Sequence, residues 1–193
     1  MAKNARFLSL GFLVLHFLST ASLAQEAPFV RDVAQRLNQQ RVQHGLKPVT
    51  YSKTLEKAAQ AHAEWMARSH KMEHLQEAPR SVEEHRTTNH HPVNRVINAG
   101  YFKWDDLFWA EMTDTGAVVH VKPIANEWVG EIIAEALNAG HPATQPPKLV
   151  PGWMNSPGHR ATILTPQFQE FGIGTACIGD DTYWCVVFGK PKG

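Results

Sequence analysis

The sequence predicts an α+β fold on three observations. Two stretches with apolar residues at helical spacing lie in its first half, a Ser-Pro-Gly-His segment starts a late helix, and the chain ends in two strand-like runs around a Gly-Asp-Asp turn. Helices thus precede a terminal antiparallel pair. No internal repeat and no second domain is expected.

Met1 to Ala24 reads as a secretory signal peptide: Lys3 and Arg6 form the positive start, Phe7 to Leu18 the apolar run, and Ser22-Leu23-Ala24 the cleavage site. The run is short for a membrane span, so a secreted or periplasmic domain over residues 25–193 is expected, without stable membrane insertion. Phe29 to Gln43 follows as a helix, with Val30, Val33, Ala34 and Leu37 on one face and Gly45 as its stop. Ser52 can cap a second helix running to about Lys71, with Leu55, Ala59, His62 and Met66 on one stripe. Glu77 to Pro92 is polar and reads as a surface loop, and Pro92 opens a short helix through Asn98, closed by Gly100. Tyr101 to Gly116 is aromatic without a clean period.

Alternation from Asn126 to Ala134 predicts a strand that turns Glu131 to the face opposite Trp128 and Ile132. His141 to Pro151, with four prolines, reads as a loop leading to a helix at Trp153. Ser156 is then an N-cap and Pro157 the first helical position, which makes His159 the third. The helix dipole there disfavours an imidazolium and biases the ring to the neutral form a metal needs. The last strands are Gly172 to Ile178 and Tyr183 to Phe188. Cys177 and Cys185 flank their turn. They either close a cross-strand disulfide worth about 2–3 kcal/mol or stay as two thiols, and strand register decides.

Charge excludes one class of partner. The 19 Lys+Arg balance 18 Asp+Glu and are scattered, which gives no footprint for nucleic acid.

Four segments carry a family resemblance: SPGHRATIL followed by GIG and a strand ending in FG; LNQQRVQHGLKPVTYSKTLEKAAQAHAEWMA from Leu37 to Ala67; MEH at Met72 to His74; and GEIIA at Gly130 to Ala134. In this order they resemble the bacterial branch of the CAP superfamily, the cysteine-rich secretory, antigen 5 and pathogenesis-related 1 group. The resemblance implies an α-β-α sandwich around a small central, mainly antiparallel sheet. It also implies a cleft with two histidines and two acids, where in several members the histidines bind a divalent metal such as zinc. His74 matches the first histidine, His159 the second and Glu131 the first acid. The second acid has no counterpart, because Ser156 stands in its place.

Two neutral imidazoles can hold zinc with water in the open positions. The expected function is therefore a secreted domain whose cleft at His74, Glu131 and His159 binds a divalent metal (Zn), or an extracellular protein, lipid or cell-wall ligand, without turnover. One alternative is a metal-dependent hydrolase with a water activated near Glu131 or Glu73. Its sharpest form takes His70, Glu73 and His74 as an H-x-x-E-H zinc pair on a helix, with Glu127 or Glu131 as third ligand. Another alternative is a sterol or lipid binder using some of the six tryptophans. A Ser156–His159 nucleophile has no G-x-S-x-G elbow to support it, Asn155 and Arg160 read as structural hydrogen-bonders, and His85, His90 and His91 read as an exposed, adventitious metal trap.

Overall fold

A computed structural model describes residues 27–192 except 114–115, 124 and 143–144. The signal-peptide expectation over residues 1–24 lies outside the described residues. Helix α1 (Pro28–Gln43) starts with proline at its first position, buries Val30, Val33, Ala34 and Leu37, and stops where Gly45 takes φ +75°. The short strand β1 (Thr50–Tyr51) leads into α2 (Lys53–Ser69). Ser52 holds the N-cap position of α2, although its hydroxyl makes no cap bond. Beyond α2 come α3 (Val82–Thr87), α4 (Pro92–Asn98), α5 (Trp104–Leu107), the hairpin β2 (Phe108–Thr113) and β3 (Gly116–Val121), and α6 (Ala125–Trp128). The chain finishes with β4 (Val129–Ala136), α7 (Pro146–Asn155), α8 (Pro157–Ile163), β5 (Glu170–Ile178) and β6 (Asp181–Gly189).

The main sheet has the order β1-β5-β6-β4, parallel only between β1 and β5. Because side chains alternate along a strand, the sheet has two apolar faces and needs a helical layer on each. Leu55, Ala59 and Met66 of α2 and Val96 of α4 cover Ile133, Cys185 and Val187. Leu37 of α1, Trp153 of α7 and Ile163 of α8 cover Ile132, Trp184 and Val186 on the other side. This is the α-β-α arrangement that the resemblance implied. Gly172 and Gly174 let α2 lie directly on β5: a β-carbon at either would come within 2.3 Å of the α2 backbone.

Gly130 makes a milder version of the same contact, where a β-carbon would sit 2.6 Å from the Phe168 ring and 2.9 Å from the Thr162 methyl. Both obstacles are side chains that can shift. Gly130→Ala is expected to cost about 2 kcal/mol, read by urea unfolding. A neutral result would show that this strand stands further from α8 and Phe168 than described.

Several expectations need correction. The polar stretch Glu77 to Pro92 contains α3, because the Ser81 hydroxyl accepts the Glu84 N–H and starts a turn. The strand at Glu131 begins at Val129; residues 125–128 are helical, and Trp128 packs with Val129 and Ile133 rather than beside Ile132. The proline loop is largely α7: proline fits the first helical positions, and Pro151 removes one further N–H inside the helix. The Tyr101 to Gly116 stretch holds α5 and β2, which pairs antiparallel with β3 from Thr113 opposite Gly116 to Phe108 opposite Val121.

The cysteines are both free. Cys177 stands opposite Thr182 and Cys185 opposite Gly174, three register positions apart and on opposite faces. A disulfide needs β-carbons about 4 Å apart, so this register forbids the bridge.

Candidate functional site

Glu131 lies on the α2 side of β4, and its side chain is only 2% exposed. A carboxylate survives there because α4 delivers Arg95 to it. Arg95 is itself fully buried, and its Nη2 donates to Oε1 at 2.7 Å and to Oε2 at 2.6 Å. The same guanidinium donates to the carbonyls of His74 (3.0 Å) and Asn89 (2.9 Å). One side chain thus fixes the carboxylate and ties the segment after α2 over the sheet. Burial alone would raise the Glu131 carboxyl, but Arg95 and the His74 hydrogen bond outweigh it and hold it down to about 2.

His74 donates from Nδ1 to Glu131 Oε1 at 2.9 Å. That fixes the tautomer and leaves Nε2 on the far side of a ring that is 46% exposed. His159 occupies the third position of α8, as the sequence predicts, although the Ser156 hydroxyl makes no cap bond. Burial pushes the His159 imidazolium down, and charge on the nearby His74 pushes it further. His159, Met72, Ile133, Glu135, Leu149 and Trp153 are among the residues lining a cleft of about 560 Å³ between β4 and α7.

A third histidine belongs to this cluster. His62, on the buried stripe of α2, has a fully buried side chain stacked on Trp65. Gln76 donates to its Nδ1 at 3.1 Å, which places the ring proton on Nε2, 3.6 Å from Glu131 Oε1 and without a hydrogen-bond partner. Burial pushes the His62 imidazolium down to about 4 despite the carboxylate. Cys185 points its thiol at Glu131 Oε2 from below, at 3.6 Å.

The structure therefore joins His74 and Glu131 directly and sets His159 within electrostatic reach. It does not build the H-x-x-E-H pair on a helix. His70 is the left-handed end residue of α2 (φ 52°), and Glu73 and His74 lie beyond the helix, so the H-x-x-E-H residues share no helical face. Glu127 is exposed on α6. His90 donates to the Gln76 carbonyl and His91 caps α4, while the His85 side chain lies outside the described residues. Arg160 reaches the His44 ring at 3.4 Å, and Asn155 is exposed.

Arg95 and His62 were missed by sequence reasoning. His62 has the spacing of a core residue. The one available signal for Arg95 was a charge set between Val93 and Val96 in a short apolar helix.

Among the described residues no three His, Cys, Asp or Glu side chains are arranged to hold a metal ion. The donor set fits a divalent ion only as a two-imidazole site, with Glu131 orienting His74 rather than acting as ligand.

Comparison with known proteins gives concordant matches. The family model for CAP, the cysteine-rich secretory protein family, matches residues 34–188. YkwD of Bacillus subtilis is 25% identical over 156 residues, covering 81% of this chain and 46% of YkwD. The chain thus spans under half the length of this curated relative. An outer surface protein of Borrelia burgdorferi superposes with a TM-score of 0.58 at 18% identity, covering 85% of this chain and 93% of that one. An extracellular protein containing an SCP domain from Bacillus anthracis gives 0.57 at 18% identity, covering 90% and 44%. At these identities the structures speak for the fold alone.

Proposed function

The chain belongs to the cysteine-rich secretory protein family, and on that premise we propose that it is an exported binding domain rather than a hydrolase. His159, which lines the cleft, and the nearby His74 offer their ring nitrogens to a divalent metal or to a polar group of a ligand. The observation that carries this reading is the state of Glu131. Both of its oxygens are engaged by Arg95, one also accepts from His74, and the group is shut off from solvent. A carboxylate so held cannot take a proton from water in the cleft. Ser156 stands in the place of the family's second acid. Glu131 instead orients His74, the usual task of a carboxylate behind a metal-binding imidazole. A bound zinc would supply Lewis acidity.

Calorimetric titration of zinc tests the reading. His159→Ala and His74→Ala are each expected to abolish measurable binding, and Glu131→Gln to weaken it about 10- to 100-fold. Wild-type affinity in His159→Ala would remove this site. Peptide or ester turnover that stops in the same variant would replace the binding domain with an enzyme.

A further inference from the structure

The cleft runs along an open edge of the sheet. Among the described residues β4 pairs with a strand on one side only, β6. Along an antiparallel strand successive residues turn their N–H and C=O alternately to the two sides. The Trp128 carbonyl accepts the Lys190 N–H on the β6 side, whereas the Ile133 carbonyl accepts the Trp153 indole N–H, at 2.9 Å, from α7. Residues 131, 133 and 135 therefore turn their backbone groups to the open edge. The Trp153 indole closes that edge at Ile133. The next outward residue, Glu135, lines the cleft, and its N–H and C=O have no partner among the described residues.

An unpaired donor and acceptor from a single residue, in a cleft that Leu149 and Trp153 also line, has a specific complement. One residue of extended backbone satisfies both groups at once, and its side chains alternate between the wall and solvent. A lipid tail would cover the wall but leave the Glu135 N–H without an acceptor. We propose that the cleft binds an extended peptide segment, which adds beside β4 with one of its residues paired to Glu135. Trp153 sets the register, because the ladder can begin only past Ile133. The proposal rests on the sheet edge and is independent of metal at His74 and His159.

The test uses blocked hexapeptides of alternating valine and threonine, with and without N-methylation at the central residues, titrated in the presence of a chelator. Binding is followed by tryptophan fluorescence and by exchange of the Glu135 amide. Saturable binding that slows this exchange is expected. N-methylated peptides are expected to bind at least tenfold more weakly. Gly152→Leu should weaken the unmethylated peptides by a similar factor, since a β-carbon at Gly152 meets nothing within 4 Å and the new side chain would fill the cleft without disturbing the fold. Absence of saturable binding overturns the proposal. So does binding indifferent to N-methylation and Gly152→Leu, or tight binding of a fatty acid with no change at the Glu135 amide. Because chelator is present throughout, failure here leaves the zinc titration to be judged on its own, and failure of that titration leaves this result standing.

Discussion

Replacing Arg95 with methionine is expected to cost about 3–5 kcal/mol of folding stability, because it leaves a buried carboxylate without its counter-charge. Arg95 is the donor to both oxygens of Glu131 and to the carbonyls of His74 and Asn89. The variant therefore loses the charge pair and the attachment of the His74 segment together. The double variant Arg95→Met with Glu131→Leu should be less destabilised than Arg95→Met alone, since apolar groups of similar size often replace a buried pair at little cost. Urea unfolding of the wild type, both singles and the double closes the cycle. A loss below about 1 kcal/mol in Arg95→Met would mean that water reaches Glu131. In that case the carboxylate would be accessible, and the case against acid–base chemistry at this site would lose its support.

The same residue shows where sequence reasoning stops. The helices α1, α2 and α4 were legible because each buries one face, so their apolar residues recur at helical spacing and glycine or proline marks an end. The terminal strands were legible as short runs on either side of a Gly-Asp-Asp turn, and β6, buried on both faces, shows no alternation. Periodicity placed Glu131 on the face opposite Ile132, but only the family resemblance set it in a cleft. Arg95 was not legible, because its role depends on a carboxylate 36 residues away that no local pattern links to it. His62 was hidden by its own burial: a histidine on an apolar stripe has the spacing of a core residue. The β2–β3 hairpin escaped because its aromatic residues answer to stacking, Trp104 on Phe108 at 4.4 Å and Trp109 on His120 at 4.1 Å, rather than to an inside and an outside. In α7, proline composition outvoted a helix that uses two prolines at its start. The cysteine alternative turned on a register that composition cannot fix.

Metal-free protein is expected to lose stability as pH falls from 6.5 toward 4, and His62 sets the window. Its folded-state value is lowered to about 4, first by burial, against the opposing pull of Glu131 and with further repulsion from Arg95 and His74. Between these values the unfolded chain takes up a proton that the folded chain refuses, so stability is complete above the unfolded value and declines below it. The difference corresponds to about 3 kcal/mol by pH 4, on the scale of roughly 1.4 kcal/mol per unit. Glu131, lowered to about 2, adds a second loss only below its own unfolded value of 4.5. His62→Gln should remove the His62 part of this loss and leave the part that the lowered His159 adds in the same direction, since glutamine can still accept from or donate to Gln76 but takes no proton. The sign carries the information. If His62 were protonated to pair with Glu131, acidification through pH 6.5 would strengthen the fold. The opposite is expected because Arg95 already neutralises that carboxylate, so a second cation gains little attraction and still bears the cost of desolvation. Unfolding free energies of the wild type and His62→Gln between pH 7 and 4 distinguish the two. A wild-type curve that is flat or rises toward acid would show that His62, and not Arg95 alone, holds the charge of Glu131.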